Sequence, residues 1–341
     1  MNNKRTRNRF RLQAVILSLL LIVTAVAGCG YMPPSKGADT MNQPGKESTQ
    51  KLAAIAAKDI PTALLDGKYD QLYAQFGDSL KGAVTLNNFK SMAKDFLSDI
   101  KGFQLTSTFK LNGYESYVWD DSSGQKGLTA IVDKNGIIEG IQIMPHSPHP
   151  VTDQAYSKTI VDFPFRDQWF VFWGGKNIMV NYHYEYESYR YAYDFVKEKN
   201  GYSYEGDPTK NESYFAFGQE IVAPAAGVVV EAVDGIADNT PGGEMNTKQP
   251  SGNVVTIKHP NGEFSSIAHL MKGSVQVKVG DSVTAGQLLG KCGNSGNSSE
   301  PHVHYQMSPP SDNGKHSTTI PITFKDGSKP IRGELAGKKD N

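Results

Sequence analysis

Apolar positions fall into three regimes along the chain. The first is a nearly continuous run, AVILSLLLIVTAVAG from Ala14 to Gly28, which is 15 residues long. A helix that crosses a bilayer needs about 20 such residues, so the run is short for that purpose. Residues 29–49 follow with Pro, Gly, Ser and polar side chains in no apolar period, and they read as a flexible tether. The second regime begins at residue 50. Leu52, Ile55, Ala56, Ile60, Leu64 and Leu65 recur three and four apart, then Leu72, Tyr73 and Phe76, then Phe89, Met92, Phe96 and Leu97. This spacing predicts three helical segments, the first kinked at Pro61. The stretches FQLTSTFKLN, YESYVWDD, GLTAIVD and GIIEGIQIMP predict antiparallel strands, with Lys134, Asn135 and Gly136 turning one hairpin. Helices followed by strands make a small α+β domain over residues 50–146. Beyond a Pro-rich linker at 147–159 lies the third regime, where short apolar runs are punctuated by Gly and Pro. QWFVFWGG, YRYAYDFV, AGVVVEAVDG, NVVTIKHP, EFSSIAHL and HVHYQM predict a mainly antiparallel β domain over 160–330. Residues 331–341 read as a frayed tail.

Composition matters here mainly through its distribution. Lys plus Arg number 35 and Asp plus Glu number 35, so the formal charge is zero. The length fits about two domains. Without a basic excess the chain is a poor partner for nucleic acid, whose binding depends on neutralising phosphates. Two cysteines, Cys29 and Cys292, are too few for a disulfide framework. The charges are uneven, however: Lys4, Arg5, Arg7, Arg9 and Arg11 precede the apolar run, and no acidic residue occurs before Cys29. A basic segment followed by a short apolar one marks residues 1–28 as a secretory signal. Val26-Ala27-Gly28-Cys29 at its end resembles a bacterial lipobox. That resemblance implies that Cys29 receives diacylglycerol, becomes the N-terminus and anchors the chain to the cell membrane on its extracytoplasmic face. The mature chain would then carry 30 basic and 35 acidic groups, a net charge of −5, with Cys292 as a solitary thiol.

Candidate chemistry centres on His302 and His304 in EPHVHYQM. Positions i and i+2 of a strand share a face, so both imidazoles can enter one cleft, one to bind a metal and one to carry a proton. Two histidines on a strand face are equally an ordinary polar surface. Upstream, His269 ends the predicted strand SSIAHL and Asp194 lies in RYAYDFV. Tyr182, Tyr184, Tyr186, Tyr189, Tyr191 and Tyr193 crowd the approach to Asp194. On a strand they would pack together, wall a groove for sugar rings or offer a hydroxyl to a tetrahedral intermediate. His146, His149 and His259 read as linker or turn residues.

Residues from about 160 to 310 resemble the catalytic domain of lysostaphin/LytM-type zinc endopeptidases, which cut peptides of bacterial peptidoglycan. The matching segments are VAPAAGVVVEAVDG, GNVVTIKHPNG, FSSIAHL and VKVGDSVTAGQLLGKCGNSGNSSEPHVHYQM, preceded by YRYAYDF. The resemblance implies a LytM-like β-sheet domain, Zn2+ as cofactor, and peptidoglycan stem peptides or cross-bridges as substrate. It also implies Asp194 and His304 as metal ligands and His302 and His269 as the catalytic pair. The family's first metal-binding histidine stands four residues before the aspartate, and that position is Arg190 here. A guanidinium stays protonated and cannot serve as a normal zinc ligand. Either His183 in NYHYEY supplies the third ligand, with a loop returning its ring across eleven residues to Asp194, or the site holds no catalytic zinc. In the second case the domain would bind peptidoglycan or regulate another hydrolase without cutting. Arg190 is then free to pair with Asp194 or with a substrate carboxylate, and Tyr193 is a further substrate-binding candidate. The N-terminal domain would space the peptidase from the membrane or bind a protein partner.

Overall fold

The computed structural model describes residues 53–311 and 318–338, so the apolar run, Cys29 and the tether lie outside the described residues. After a 3-10 turn at Ala57–Asp59 come four short helices: α1 (Ile60–Leu65), α2 (Tyr69–Ala74), α3 (Asp78–Ala83) and α4 (Leu86–Leu97). Pro61 does not kink a longer helix, as its spacing suggested. It sits in the first turn of α1, where its missing N–H has no intrahelical partner to lose. Gly67, at φ 72°, ends that helix in a conformation that favours glycine. The Thr85 hydroxyl caps α4 by accepting from the Asn88 N–H at 3.3 Å.

Strands β1 (Phe103–Leu111), β2 (Tyr114–Asp121), β3 (Lys126–Asp133) and β4 (Ile138–Pro145) follow as an antiparallel meander in sequential order. The helices cover one face of this sheet, where Leu64, Leu72, Phe76 and Phe89 share a core with Trp119, Leu128, Val132 and Ile141. The β2–β3 turn is closed by the buried Asp121, whose carboxylate accepts from the backbone N–H groups of Ser123, Gln125 and Lys126.

The remaining strands are β5 (Ile160–Val161), β6 (Trp169–Trp173), β7 (Tyr193–Val196), β8 (Glu220–Val222), β9 (Gly227–Val233), β10 (Asn253–Lys258), β11 (Phe264–Leu270) and β12 (Ser282–Val283). Then come β13 (Leu288–Lys291), β14 (Val303–Ser308), β15 (Thr323–Phe324) and β16 (Leu335–Ala336). Eight of them form one sheet in the order β12-β9-β10-β11-β14-β7-β6-β16, with every pairing antiparallel. The fold is therefore an α+β unit followed by a mainly antiparallel β unit, as the apolar pattern predicts. Along β14 the alternation is plain. Val303, Tyr305 and Met307 are fully buried in the core, while His304 and Gln306 face a cleft on the opposite side.

Two expectations fail in this half. Only Tyr193 of the six crowded tyrosines lies on a strand; Tyr182 to Tyr191 occupy a 3-10 turn, Tyr182–Glu185, and the turns after it. The cause is the fully buried Asn181, whose side-chain amide donates to the carbonyls of Gly175, Arg190 and Ala192 and folds the segment into a loop. The final segment is not frayed up to residue 338. β16 pairs with β6 through Leu335 and Phe170, and Arg332 and Ala336 are buried, because the edge of β6 offers unpaired backbone groups that β16 satisfies.

The two units meet over an apolar contact. Phe109 and Leu111 of β1 pack with Phe170, Phe172 and Trp173 of β6, and Val118 of β2 packs with Met179 and Val180. Arg332 joins them: its guanidinium lies 3.9 Å from the Trp173 ring centroid and 5.2 Å from that of Phe109. Its carbonyl accepts from the Ser107 hydroxyl at 2.5 Å. Among the described residues no helix is long and apolar enough to cross a membrane.

Candidate metal centre

Strand register assembles the site. In the central strands His304 of β14 stands opposite Asp194 of β7 on one side and opposite Ala268 of β11 on the other. His304 Nδ1 lies 2.9 Å from Asp194 Oδ1. From the loop before β7, His183 Nε2 comes within 3.5 Å of Asp194 Oδ2. His183, Asp194 and His304 are all buried, and one ligand-type atom from each lies within 4.8 Å of the others. Among the described residues this is the only such group of three or more His, Cys, Asp or Glu side chains.

Each histidine is oriented by a second amide. His183 Nδ1 is 3.0 Å from Asn181 Oδ1, and His304 Nε2 is 3.0 Å from Gln306 Oε1. An amide oxygen only accepts, so it fixes the N–H on those nitrogens and leaves His183 Nε2 and His304 Nδ1 as the lone pairs turned toward Asp194. Two nitrogens and one carboxylate, each with its orientation set from outside, fit a divalent ion of the zinc type and leave a coordination position open.

His302 and His269 complete the cluster. His302 Nε2 lies 3.7 Å from Asp194 Oδ1, while its Nδ1 contacts the Glu300 carbonyl at 2.9 Å. His269 Nδ1 contacts the Ser295 carbonyl at 2.8 Å, and its ring centroid is 4.7 Å from that of His302. The aim of His269 comes from a bulge. Between the pairs Asn253–Leu270 and Val255–Ile267, β11 holds one residue more than β10, and His269 adopts φ 62°. A non-glycine residue in that region is strained, as residues at functional sites often are.

Burial and mutual charge set the protonation of the cluster. Burial alone would raise the Asp194 carboxyl, but the three neighbouring histidines hold it well below the usual carboxylate range. Burial pushes His183 down to about 3. It does the same to His269, reinforced by His302 and His304, well below the ordinary histidine value. Burial also opposes charge on His304, yet the hydrogen bond and charge of Asp194 outweigh it and raise its affinity for a proton. A cation at this place would occupy the position that favours that proton.

The cluster opens into a cleft of about 450 Å³. Its floor is the sheet face bearing Thr256, Ser266, Ala268 and Gln306, with Glu231 among its lining residues. Tyr182, Tyr186 and Tyr189 line it together with Pro250, Ser251 and Asn297. The structure thus brings together His183, Asp194, His269, His302 and His304. Arg190 does not join them: its Nε donates to the Tyr184 carbonyl at 3.0 Å, so it pairs neither with Asp194 nor lines the cleft. Tyr193 is also turned away. As the neighbour of Asp194 on β7 it faces the opposite side of the sheet, where it stacks on Phe195 and meets Phe324. Of the crowded tyrosines, the exposed Tyr182, Tyr186 and Tyr189 line the cleft, whereas Asn181 and Gln306 are site residues that the sequence did not single out. Gln306 could have been found, since it stands two residues after His304 on the same strand face; the position of Asn181 has no local signature.

Residues 213–318 match the model of Peptidase family M23, and the chain carries a domain of that family. The match takes in His269, His302 and His304 and begins after His183 and Asp194. The chain is similar to the peptidoglycan DD-endopeptidase ShyC of Vibrio cholerae, with 33% identity over 90 residues that make up 26% of this chain and 19% of that protein. It is also similar to the cell division protein DipM of Caulobacter vibrioides, with 32% identity over 114 residues, 33% of this chain and 16% of the relative. The matches thus span less than a fifth of the length of these curated relatives. Among solved structures the chain is similar to the catalytic domain of lysostaphin from Staphylococcus simulans, at 22% identity over 46% of this chain and 88% of that one, with a TM-score of 0.28.

Proposed function

We propose that this protein is a zinc-dependent endopeptidase that hydrolyses peptide bonds in bacterial peptidoglycan, anchored through lipid on Cys29 at the extracytoplasmic face of the cell membrane. One observation carries the catalytic reading: His183 stands beside Asp194 and His304 although Arg190 occupies the position where the resembled family has its histidine. His183 Nε2, His304 Nδ1 and the Asp194 carboxylate would hold the ion. Zinc, when bound, supplies Lewis acidity that polarises an amide carbonyl and acidifies water.

The remaining chemistry belongs to the chain itself. His302 donates from Nδ1 to the Glu300 carbonyl, which leaves its Nε2 facing the cluster as an acceptor. There it can take the proton of an attacking water and return it to the leaving amine. His269 donates from Nδ1 to the Ser295 carbonyl, and burial keeps it neutral. Its Nε2 is therefore also an acceptor, suited to orienting that water rather than to stabilising an oxyanion. The cleft, open to solvent and lined by exposed tyrosines, suits an extended peptide carrying sugar.

The test is metal analysis joined to a cell-wall assay. The purified chain should hold close to one zinc, lose it in His183→Ala and His304→Ala, and release muropeptides from isolated cell walls. Bound zinc without any muropeptide release would replace the hydrolase with a peptidoglycan-binding module. The anchor is tested separately, because Cys29→Ser should free the protein from membranes.

A further inference from the structure

His183 is carried by a loop that precedes the matched family domain, and that loop is fastened from outside the sheet. Asp153 lies on the 3-10 turn Thr152–Gln154, in the segment that joins the two units. Its carboxylate accepts from the Tyr184 hydroxyl at 2.9 and 3.0 Å and from the Tyr191 hydroxyl at 2.9 Å. Tyr184 directly follows His183, and Tyr191 stands three residues before Asp194. Both tyrosines are buried, at 1% and 3% exposure, so neither can exchange Asp153 for water without leaving its place.

We propose that Asp153 is a positioning residue for the metal centre: by clamping Tyr184 and Tyr191 it holds both flanks of the ligand loop and keeps His183 against Asp194. The inference rests on His183, Asp194 and His304 being the metal ligands. It assigns the linker a share in a site that otherwise belongs to the β unit. Hydrogen bonds to an ionised carboxylate are stronger than neutral ones, and here two of them converge on one side chain. In metal sites, partners that bond a ligand directly are worth about 10–100-fold in affinity, and Asp153 acts one residue further out, at the lower end of that range.

Zinc affinity of the full chain, measured by competition with a chromophoric chelator, tests this. Asp153→Ala should weaken zinc binding by about tenfold. The double variant Tyr184→Phe with Tyr191→Phe, nearly isosteric, should weaken it in the same direction and decides the matter if Asp153→Ala does not fold. The absorption of bound Co2+ should change in the same variants. Leu72→Ala in the helical layer should lower the melting temperature while leaving zinc affinity alone, which separates positioning from general stability. Unchanged zinc affinity in Asp153→Ala or in the folded double variant overturns the proposal. If His183→Ala binds zinc as the wild type does, the ligand assignment itself fails, and the clamp falls with it.

Discussion

His183 Nε2 lies 3.5 Å from Asp194 Oδ2 although the two are eleven positions apart in sequence, while Arg190, only four positions from Asp194, bonds the Tyr184 carbonyl instead. His183, Asp194 and His304 come together as three donor groups without Arg190. Arg190 is thus a brace of the loop rather than a blocked ligand. Arg190→Ala should leave zinc content unchanged and lower stability by about 1 kcal/mol, the usual worth of one hydrogen bond. His183→Ala should abolish zinc retention. Metal analysis after dialysis, set beside thermal unfolding, checks both, and loss of zinc in Arg190→Ala would contradict this role.

Asn181 has a double duty, bonding three backbone carbonyls and orienting His183. Asn181→Leu removes the donors and strands buried carbonyls, each at about 1–3 kcal/mol. A large fall in melting temperature together with weaker zinc binding is expected. A variant as stable as the wild type would show that the loop does not depend on this amide.

Asp121 gives the N-terminal unit a dependence on acid. Burial opposes its charge, but bonds from Ser123, Lys126 and Gln125 hold its carboxyl down to about 2. A depressed folded-state value stabilises the fold above the unfolded value of about 3.9 and loses that contribution as pH falls toward 2. Chemical denaturation at pH 7 should find Asp121→Asn less stable than the wild type, and the gap should shrink between pH 4 and pH 2. A gap that is constant with pH would rule out the charge as its source.

Phe109 is the apolar bridge between the units, packed edge-on against Phe170 at 5.3 Å and under Arg332. Phe109→Ala should cost about 3–5 kcal/mol, the range for a buried phenylalanine. Limited proteolysis should then cut between the units, in the segment around residues 146–157. Resistance equal to that of the wild type would mean that the contact contributes little.

Cys292 is fully buried, and burial raises its thiol well above the ordinary value. In a Cys29→Ser background the folded chain should not react with a thiol reagent until denaturant is added. Rapid labelling of the native protein would place the thiol at the surface instead.

Several of these features were legible in the chain itself. Local periodicity depends on which side chains neighbour one another along the backbone, so it gave the α+β unit and the β strands their types. The pair His302 and His304 could be assigned to one face because alternation is a property of any strand. The motif resemblance singled out Asp194 and His269 in the same way, through short segments. Arg190 could be read only as a departure, since nothing local says what replaces a missing ligand. Whether residues 1–28 are a signal and Cys29 carries lipid is likewise a matter of sequence, for those residues lie outside the described structure.

Tertiary structure decided the rest, because it depends on contacts between residues far apart in sequence. A tyrosine-rich stretch that alternates like a strand became a loop once the Asn181 amide could reach three carbonyls. The supposed tail became an edge strand because β6 had backbone groups to satisfy. His183 joined Asp194 only when Asp153, Asn181 and the Val118 contact fixed both ends of its loop. Sequence named the residue types able to hold a metal, and packing at a distance chose which of them meet.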